Sequence, residues 1–274
     1  SLYTYSASPR DFGNASSHEE FFEQHRHMVD QLYRVLKPGR LFSAHCMLMP
    51  TSKAKDGFIG IVDFRGQLIK QFQDAGFIFH SEVCIWKDPV TAMQRTKALG
   101  LLHKQVRKDS CMSRQGLPDY LVTMRKPGDN AEPVTHDDSD LPVQVWQRYA
   151  SPVWMSQHGV DSDGFMIPGD DQLPSDSSSG INPSDTLQYR SAREHADERH
   201  VCPLQLEVIR RAVHLWSNPG DVVLSPFTGI GSEGYVSLQM GRRFIGAELK
   251  ASCYQQAAKN LARAGAPSQM EMKL

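Results

Sequence analysis

The 274-residue sequence lacks several features that would place it in large protein classes. No uncharged apolar run approaches the roughly 20 residues that a membrane-spanning helix needs. The opening Ser1-Leu-Tyr-Thr-Tyr5 has neither an initiator Met nor a signal-peptide pattern. There is no charge surplus: 30 basic against 31 acidic residues leave −1, which excludes a uniformly basic nucleic-acid coat but not a local basic face. Cysteine is sparse, with Cys46, Cys84, Cys111, Cys202 and Cys253 far apart and no CxxC or Cys/His cluster. A disulfide framework and a structural zinc site are therefore not implied, and the thiols read as small buried or partly buried groups in a reducing compartment. These absences predict a soluble, cytoplasmic chain with no membrane partner. Its length and its 40% hydrophobic content suffice for one large or two small domains.

What is present begins with an opposition of charge. Residues 95–126 carry eight basic side chains against Asp109 and Asp119, a balance of +6, whereas residues 127–190 carry 11 acidic against Arg148 and Arg190. Within the acidic stretch, residues 156–180 contain no Lys or Arg and six serines, so they bury too little apolar area to offset their ordering entropy. They are expected to form a mobile insertion.

Hydrophobic periodicity organises the rest. Ser17-His-Glu-Glu20 spells a capping box before an apolar stripe at Phe21, Met28, Leu32 and Val35, and Lys37-Pro38-Gly39 stops that helix. Residues 40–48 read as a buried strand, 49–62 as a loop, 63–75 as a helix, 77–86 as a strand, and 119–126 as another strand after a basic, partly helical stretch. Towards the C-terminus, Leu206, Ile209, Val213 and Trp216 share a helix face. A short strand 221–224, a glycine-rich turn, a helix, a strand 243–249 and a closing helix with Tyr254, Ala257, Ala258 and Leu261 on one face complete a βαβα unit.

The turn is Gly229-Ile-Gly231-Ser-Glu-Gly234, a G-x-G-x-x-G placed between a strand and a helix. Glycines let the backbone approach a ligand, and a helix N-terminus favours electron-rich groups. Glu248, at the tip of the next strand, can accept hydrogen bonds from ribose hydroxyls. Nicotinamide and S-adenosylmethionine sites share this geometry. Pro226-Phe227 intervenes before the first glycine, and only 26 residues follow Glu248, so the remaining strands must come from the first half of the chain. That order argues against a dehydrogenase.

Leu224-Ser-Pro-Phe-Thr-Gly-Ile-Gly-Ser232, then Gly241-Arg-Arg-Phe-Ile-Gly-Ala-Glu-Leu249, then Tyr254 resemble the cofactor half of amino-group DNA methyltransferases, which spell it roughly DPFxGSGT, GRxFIGxE and Y. The order resembles their permuted β class, and Asp109 to Gly128 and Ala192 to Leu206 look especially like phage and prophage members. The resemblance covers nearly the whole chain except the acidic insertion. It implies an α/β, Rossmann-like S-adenosylmethionine-dependent methyltransferase fold, circularly permuted. Residues 1–126 would be the catalytic half, 127–190 a target-recognition region and 191–274 the cofactor-binding half.

By the same resemblance, S-adenosyl-L-methionine is held by Pro226, Phe227, Gly229, Gly231, Ser232 and Glu248, with Cys202 and Pro203 near its methionine end. The activity implied is methyl transfer to the exocyclic amine of cytosine (N4) or adenine (N6) in double-stranded DNA, as in restriction-modification systems. In the basic stretch, Arg107, Lys108 and Arg114 are the candidates for DNA contact; a solvated basic face is the plain alternative.

Two departures stand out. Ser225 replaces the usual Asp of DPF, which removes a negative charge near the cofactor. The catalytic tetrapeptide [Asp/Asn/Ser]-Pro-Pro-[Tyr/Phe/Trp], which accepts the amine's N–H bonds and stacks on the base, occurs nowhere; Ser151-Pro-Val-Trp154 is the nearest spelling. The expectation is an N-terminally truncated and inactive fragment with an unpaired slot in its sheet. The alternatives are a noncatalytic DNA- or cofactor-binding prophage remnant, or a methyltransferase acting on RNA or a small molecule.

Overall fold

The computed structural model describes residues 11–96, 99–155, 181–182, 184–188, 192 and 203–265. The expected mobile insertion at 156–180 and Cys202 lie outside these residues. The chain divides into two compact units that do not follow chain order: residues 1–28, 132–136 and 182–274 form one, and residues 29–131 and 137–181 the other. No helix among the described residues is long and apolar enough to cross a membrane.

Helix α1 (His18–Val35) starts where the capping box predicts. Ser17 Oγ accepts the Glu20 N–H at 3.2 Å, and Glu20 answers by accepting the Ser16 N–H at 2.7 Å, one residue earlier than in the ideal box. In the second unit, β1 (Leu41–Met47), β5 (Asp119–Arg125), β4 (Ile78–Ile85) and β6 (Val153–Trp154) form one mixed sheet in the order β1-β5-β4-β6. β5 is antiparallel to both β1 and β4, and β6 joins β4 in parallel. The stretch expected as a loop after β1 contains a small β2 (Met49–Pro50) and β3 (Ile61–Val62) pair. Short helices α2 (Lys53–Asp56) and α4 (Pro89–Thr96) occupy the connections that follow β2 and β4.

Helix α3 (Phe64–Asp74), capped by the Asp63 carboxylate on the Gly66 N–H at 2.8 Å, covers one sheet face. There Phe42 meets Phe72 and Phe77 edge-on at 4.9 and 4.8 Å, and Tyr33 of α1 meets Phe77 at 5.0 Å. The C-terminal end of α1 is closed by Lys126, whose ammonium donates to the Tyr33 and Leu36 carbonyls at 2.6 and 2.7 Å, where the helix dipole favours a cation. Gly39, at φ +72°, allows this turn, and a Cβ there would lie 2.6 Å from the Asn130 nitrogen.

Trp154 is fully buried and β6 is paired, so the Ser151-Pro-Val-Trp154 spelling is a structural edge. Trp146 on α6 (Val143–Tyr149) is exposed. The Ile181 N–H donates to the Met155 carbonyl at 2.8 Å, so the two flanks of residues 156–180 are tied together.

In the first unit, α7 (Leu206–Trp216) buries Leu206, Ile209 and Val213 against Val236 of α8 (Ser232–Gln239). β7 (Val222–Ser225) and β8 (Arg243–Gly246) run parallel, with α8 as their crossover and α9 (Ala251–Ala264) after them. The closing helix shows its expected periodicity on a shifted face. Cys253, Ala257 and Asn260 are buried at helical spacing, whereas Tyr254, about 100° around from Cys253, is 63% exposed. Among the described residues β1 pairs only with β5 and β7 only with β8, so each strand has one unpaired edge.

Candidate cofactor-binding site

The turn after β7 folds by local hydrogen bonding. The Ala247 N–H donates to the Ser225 carbonyl at 3.0 Å and the Thr228 N–H to the Ala247 carbonyl at 2.9 Å, which extends the β7–β8 pairing past both strand ends. The Gly231 N–H then returns to the Thr228 carbonyl at 2.8 Å, and α8 begins. β8 ends at Gly246, so Glu248 lies two residues beyond the strand rather than at its last position. From there its carboxylate reaches back to the glycine turn. Oε2 accepts the Gly229 N–H at 2.7 Å and Oε1 accepts the Lys250 N–H at 2.7 Å.

The three glycines of the motif have different duties. Gly229, at φ +54°, is open: a Cβ there would meet nothing within 4 Å among the described residues. Gly231, at φ +87°, lies against Ala257, with a Cβ 3.2 Å from that methyl. Gly234 is a packing glycine, since a Cβ would sit 2.5 Å from Leu261 and 2.6 Å from Phe244. Only the first faces outward, as a backbone that approaches a ligand should.

Ser232 opens α8 and is buried, Pro226 and Pro203 are half-buried, and Phe227 is 57% exposed with its ring edge 6.0 Å from Phe12. Phe12 also contacts Phe21 and His25, and His25 stacks on Phe21 at 5.3 Å. An open glycine backbone, a carboxylate with spare lone pairs and an exposed aromatic ring fit a nucleoside bearing ribose hydroxyls.

Two supporting residues escaped the sequence reading. The Asn260 amide, buried on α9, donates to the Ile230 carbonyl at 2.8 Å and fixes the middle of the glycine turn. Its signal was a polar residue three positions after Ala257 on an apolar face. Arg242 is buried and donates to the Ser217 hydroxyl, the Ser217 carbonyl and the Met240 carbonyl at 3.1, 2.6 and 2.7 Å, so it joins α7, α8 and β8. Asn260→Leu, which removes the donor at nearly constant volume, is expected to lower stability by about 1–3 kcal/mol by orphaning the Ile230 carbonyl. Urea denaturation of both proteins measures it; equal midpoints would refute the pinning role.

The DNA candidates lie in the other unit. Arg107 and Lys108 are exposed in the last turn of α5 (His103–Lys108). Arg114 is half-buried, with its guanidinium folded onto the Gln115 carbonyl at 3.0 Å, and burial pushes its pKa down. Cys46 is buried, which pushes its thiol up to about 12, and Cys253 is buried against Ile230, whereas Cys84 is half-buried and Cys111, against the expectation of buried or partly buried thiols, is exposed. Cys84 and Cys111 are also free thiols.

A family described as DNA methylase, of the N6/N4 type, matches residues 3–259, and the chain belongs to it. Among its relatives, the type II methyltransferase M.BglII of Bacillus subtilis is 31% identical over 111 residues, 40% of this chain and 28% of that protein. The DNA adenine methyltransferase YhdJ of Escherichia coli K12 is 32% identical over 81 residues, 29% of this chain and 28% of its own. The matched stretches thus span little more than a quarter of those relatives.

Solved structures share the fold over most of the chain. TTHA0409 of Thermus thermophilus, complexed with S-adenosyl-L-methionine, superposes with a TM-score of 0.61 at 19% identity, covering 90% of this chain and 78% of that one. The PvuII cytosine-N4-specific DNA methyltransferase gives 0.58 at 13% identity, covering 95% and 75%. The α/β fold with a mixed sheet is therefore that of DNA methyltransferases.

Proposed function

We propose that this chain binds S-adenosyl-L-methionine and belongs to an enzyme that methylates the exocyclic amine of cytosine (N4) or adenine (N6) in double-stranded DNA. The observation that carries this reading is the Glu248 carboxylate locked to the Gly229 and Lys250 N–H groups beside an open glycine backbone. Each carboxylate oxygen accepts one backbone proton and keeps lone pairs for a ribose hydroxyl. Gly229 leaves room for the nucleoside, and the N-terminus of α8 offers partial positive charge to its electron-rich groups. When bound, the cofactor supplies an electrophilic methyl group on a sulfonium.

The permuted order, with cofactor segments last, is part of the proposal, as are residues 1–126 as the catalytic half, 127–190 as target recognition and 191–274 as the cofactor half. The amine of a DNA base is a weak nucleophile because its lone pair is delocalised, and the family's tetrapeptide is what activates it. Since these 274 residues contain no such tetrapeptide, the chain by itself is proposed to bind cofactor without turnover. The absence also favours a second reading, a noncatalytic cofactor- or DNA-binding protein.

Titration calorimetry with S-adenosyl-L-methionine, followed by transfer of labelled methyl to mixed-sequence DNA, tests both. The expected result is saturable binding with no transfer until the tetrapeptide is supplied. No binding would refute the cofactor assignment, and no transfer by the completed protein would leave the noncatalytic reading.

Arg107 and Lys108 are proposed as phosphate contacts, sequence-independent and salt-sensitive. Reversing both charges to Glu should weaken duplex binding alike on different sequences and flatten the slope of log affinity against log salt by about 2. Anisotropy titrations at several salt concentrations read this out, and an unchanged slope would exclude the pair from the interface.

A further inference from the structure

One end of the four-stranded sheet carries a charged cluster made of residues outside the candidate cofactor set. Asp119, the first residue of β5, sits in register between Met47 of β1 and Ile85 of β4. His45 lies two residues before Met47, and Lys87 follows β4 by two. Oδ2 of Asp119 faces both neighbours: His45 Nε2 lies 3.0 Å away and Lys87 Nζ 2.5 Å away. Oδ1 is equally enclosed and has no hydrogen-bond partner. The Asp119 side chain is only 7% exposed, whereas those of His45 and Lys87 are 36% and 38% exposed. Burial pushes the Asp119 pKa up, but the His45 hydrogen bond and the charges of His45 and Lys87 outweigh it, so the carboxyl is held below its ordinary value.

A buried, ionised oxygen without a donor is costly and points to a donor that arrives with a ligand. Beside it, the Lys87 ammonium has three protons and uses one on Asp119, so it can donate to a neighbouring acceptor. An acceptor next to a donor is the complement of an amino group next to a ring nitrogen. Cytosine presents that pair at N4 and N3, and adenine at N6 and N1. Thymine and guanine place a carbonyl and a ring N–H there, which would set oxygen against carboxylate and N–H against ammonium.

We propose that Asp119 and Lys87 read an amino-bearing nucleobase, with Oδ1 accepting the exocyclic N–H and Lys87 donating to the adjacent ring nitrogen. His45 is the positioning residue that fixes the carboxylate through Oδ2. The long, exposed Lys87 side chain is the movable cover of the carboxylate. The proposal rests on the reading of this chain as DNA-acting and adds to it the side chains that would recognise the amino-bearing base.

Fluorescence anisotropy of the full chain with single-stranded oligo-dC, oligo-dA and oligo-dT twelve-mers tests it. Oligo-dC and oligo-dA are expected to bind about 5- to 10-fold more tightly than oligo-dT. Asp119→Asn, with its amide oxygen drawn to His45 and Lys87 and its N–H2 turned to the base, should abolish or reverse that ratio. Lys87→Met, checked by thermal melting because it removes one of the two partners of the buried Asp119 carboxylate, should reduce the ratio to within about 2-fold, the loss of one hydrogen bond's discrimination. A flat ratio in the unmodified chain, or one that survives both substitutions, overturns the proposal while leaving DNA binding in place. Failure of all three oligonucleotides to bind would refute this proposal, and binding of a mixed-sequence duplex in the same assay would show that the DNA-acting reading stands without it.

Discussion

Glu248→Ala is expected to weaken S-adenosyl-L-methionine binding by about 1.5–3 kcal/mol, roughly 10- to 150-fold in Kd, through loss of a charge-assisted hydrogen bond to ribose. The carboxylate does not wait free in solvent. The Gly229 and Lys250 N–H groups hold it at 2.7 Å each, so little side-chain entropy remains to be lost when the ligand arrives. The same contacts mean that alanine also removes the acceptor for two backbone donors, and the glycine turn should loosen.

Calorimetry and thermal melting of the same variant therefore belong together. A weaker Kd with a lowered Tm is the signature of a group that binds ligand and braces the turn. Glu248→Gln separates the two effects. The amide keeps one oxygen acceptor for the turn but replaces the other with a donor and loses the charge, so its Tm should fall less than that of Glu248→Ala while its affinity remains impaired. An unchanged Kd in Glu248→Ala would remove ribose recognition from this residue.

What the sequence shows of this fold follows from how local each signal is. Helix α1 is spelled by its own residues: Ser17 and Glu20 cap it and Lys37-Pro38-Gly39 ends it, so its limits are readable within a residue. β1, β4, β5, β7 and β8 are equally visible as apolar runs, whereas the two-residue strands β2, β3 and β6 are not, and no strand's direction is. β5 is antiparallel to β1 and β4 because of how residues 87–118 return the chain, and those residues carry no strong period. The division of α9 into faces also depends on a partner, since Ala257 and Asn260 are chosen by the glycine turn they press on, and Tyr254 is left outside.

The site divides in the same way. Gly229, Gly231 and Glu248 announce themselves by motif and spacing. Asn260 acts through the Ile230 carbonyl and Arg242 chiefly through the hydroxyl and carbonyl of Ser217, groups distant in sequence that no spacing encodes. Asp119 was legible only as one acidic residue in a basic stretch; its importance comes from two neighbouring strands that bring His45 and Lys87 to the same oxygen.

The glycine motif also predicts two variants with opposite behaviour. Gly234→Val is expected to lower stability by about 2–3 kcal/mol, since inserted atoms in a packed site force neighbours off their positions. Here the first added carbon would already lie 2.5 Å from Leu261 of α9 and 2.6 Å from Phe244 of β8. Both contacts are with side-chain atoms, so relief requires the Phe244 ring and the Leu261 methyl to turn aside or α8 to shift. The gain in helix propensity on replacing glycine, below about 1 kcal/mol, is too small to compensate. For a chain of this size the corresponding fall in Tm is about 4–12 °C.

Gly229→Ala should behave differently. Its Cβ meets nothing within 4 Å among the described residues, so these set only the cost of a left-handed alanine, about 1–2 kcal/mol. The methyl would nevertheless stand on the open side of the turn, where a nucleoside must approach, and affinity for S-adenosyl-L-methionine should fall well beyond what the small loss of stability explains. Melting and calorimetry of both variants decide the matter. If Gly229→Ala bound cofactor normally, the open face of the turn would not be the ligand's side; if Gly234→Val melted with the unmodified chain, α8 would not be wedged between β8 and α9 as tightly as these distances require.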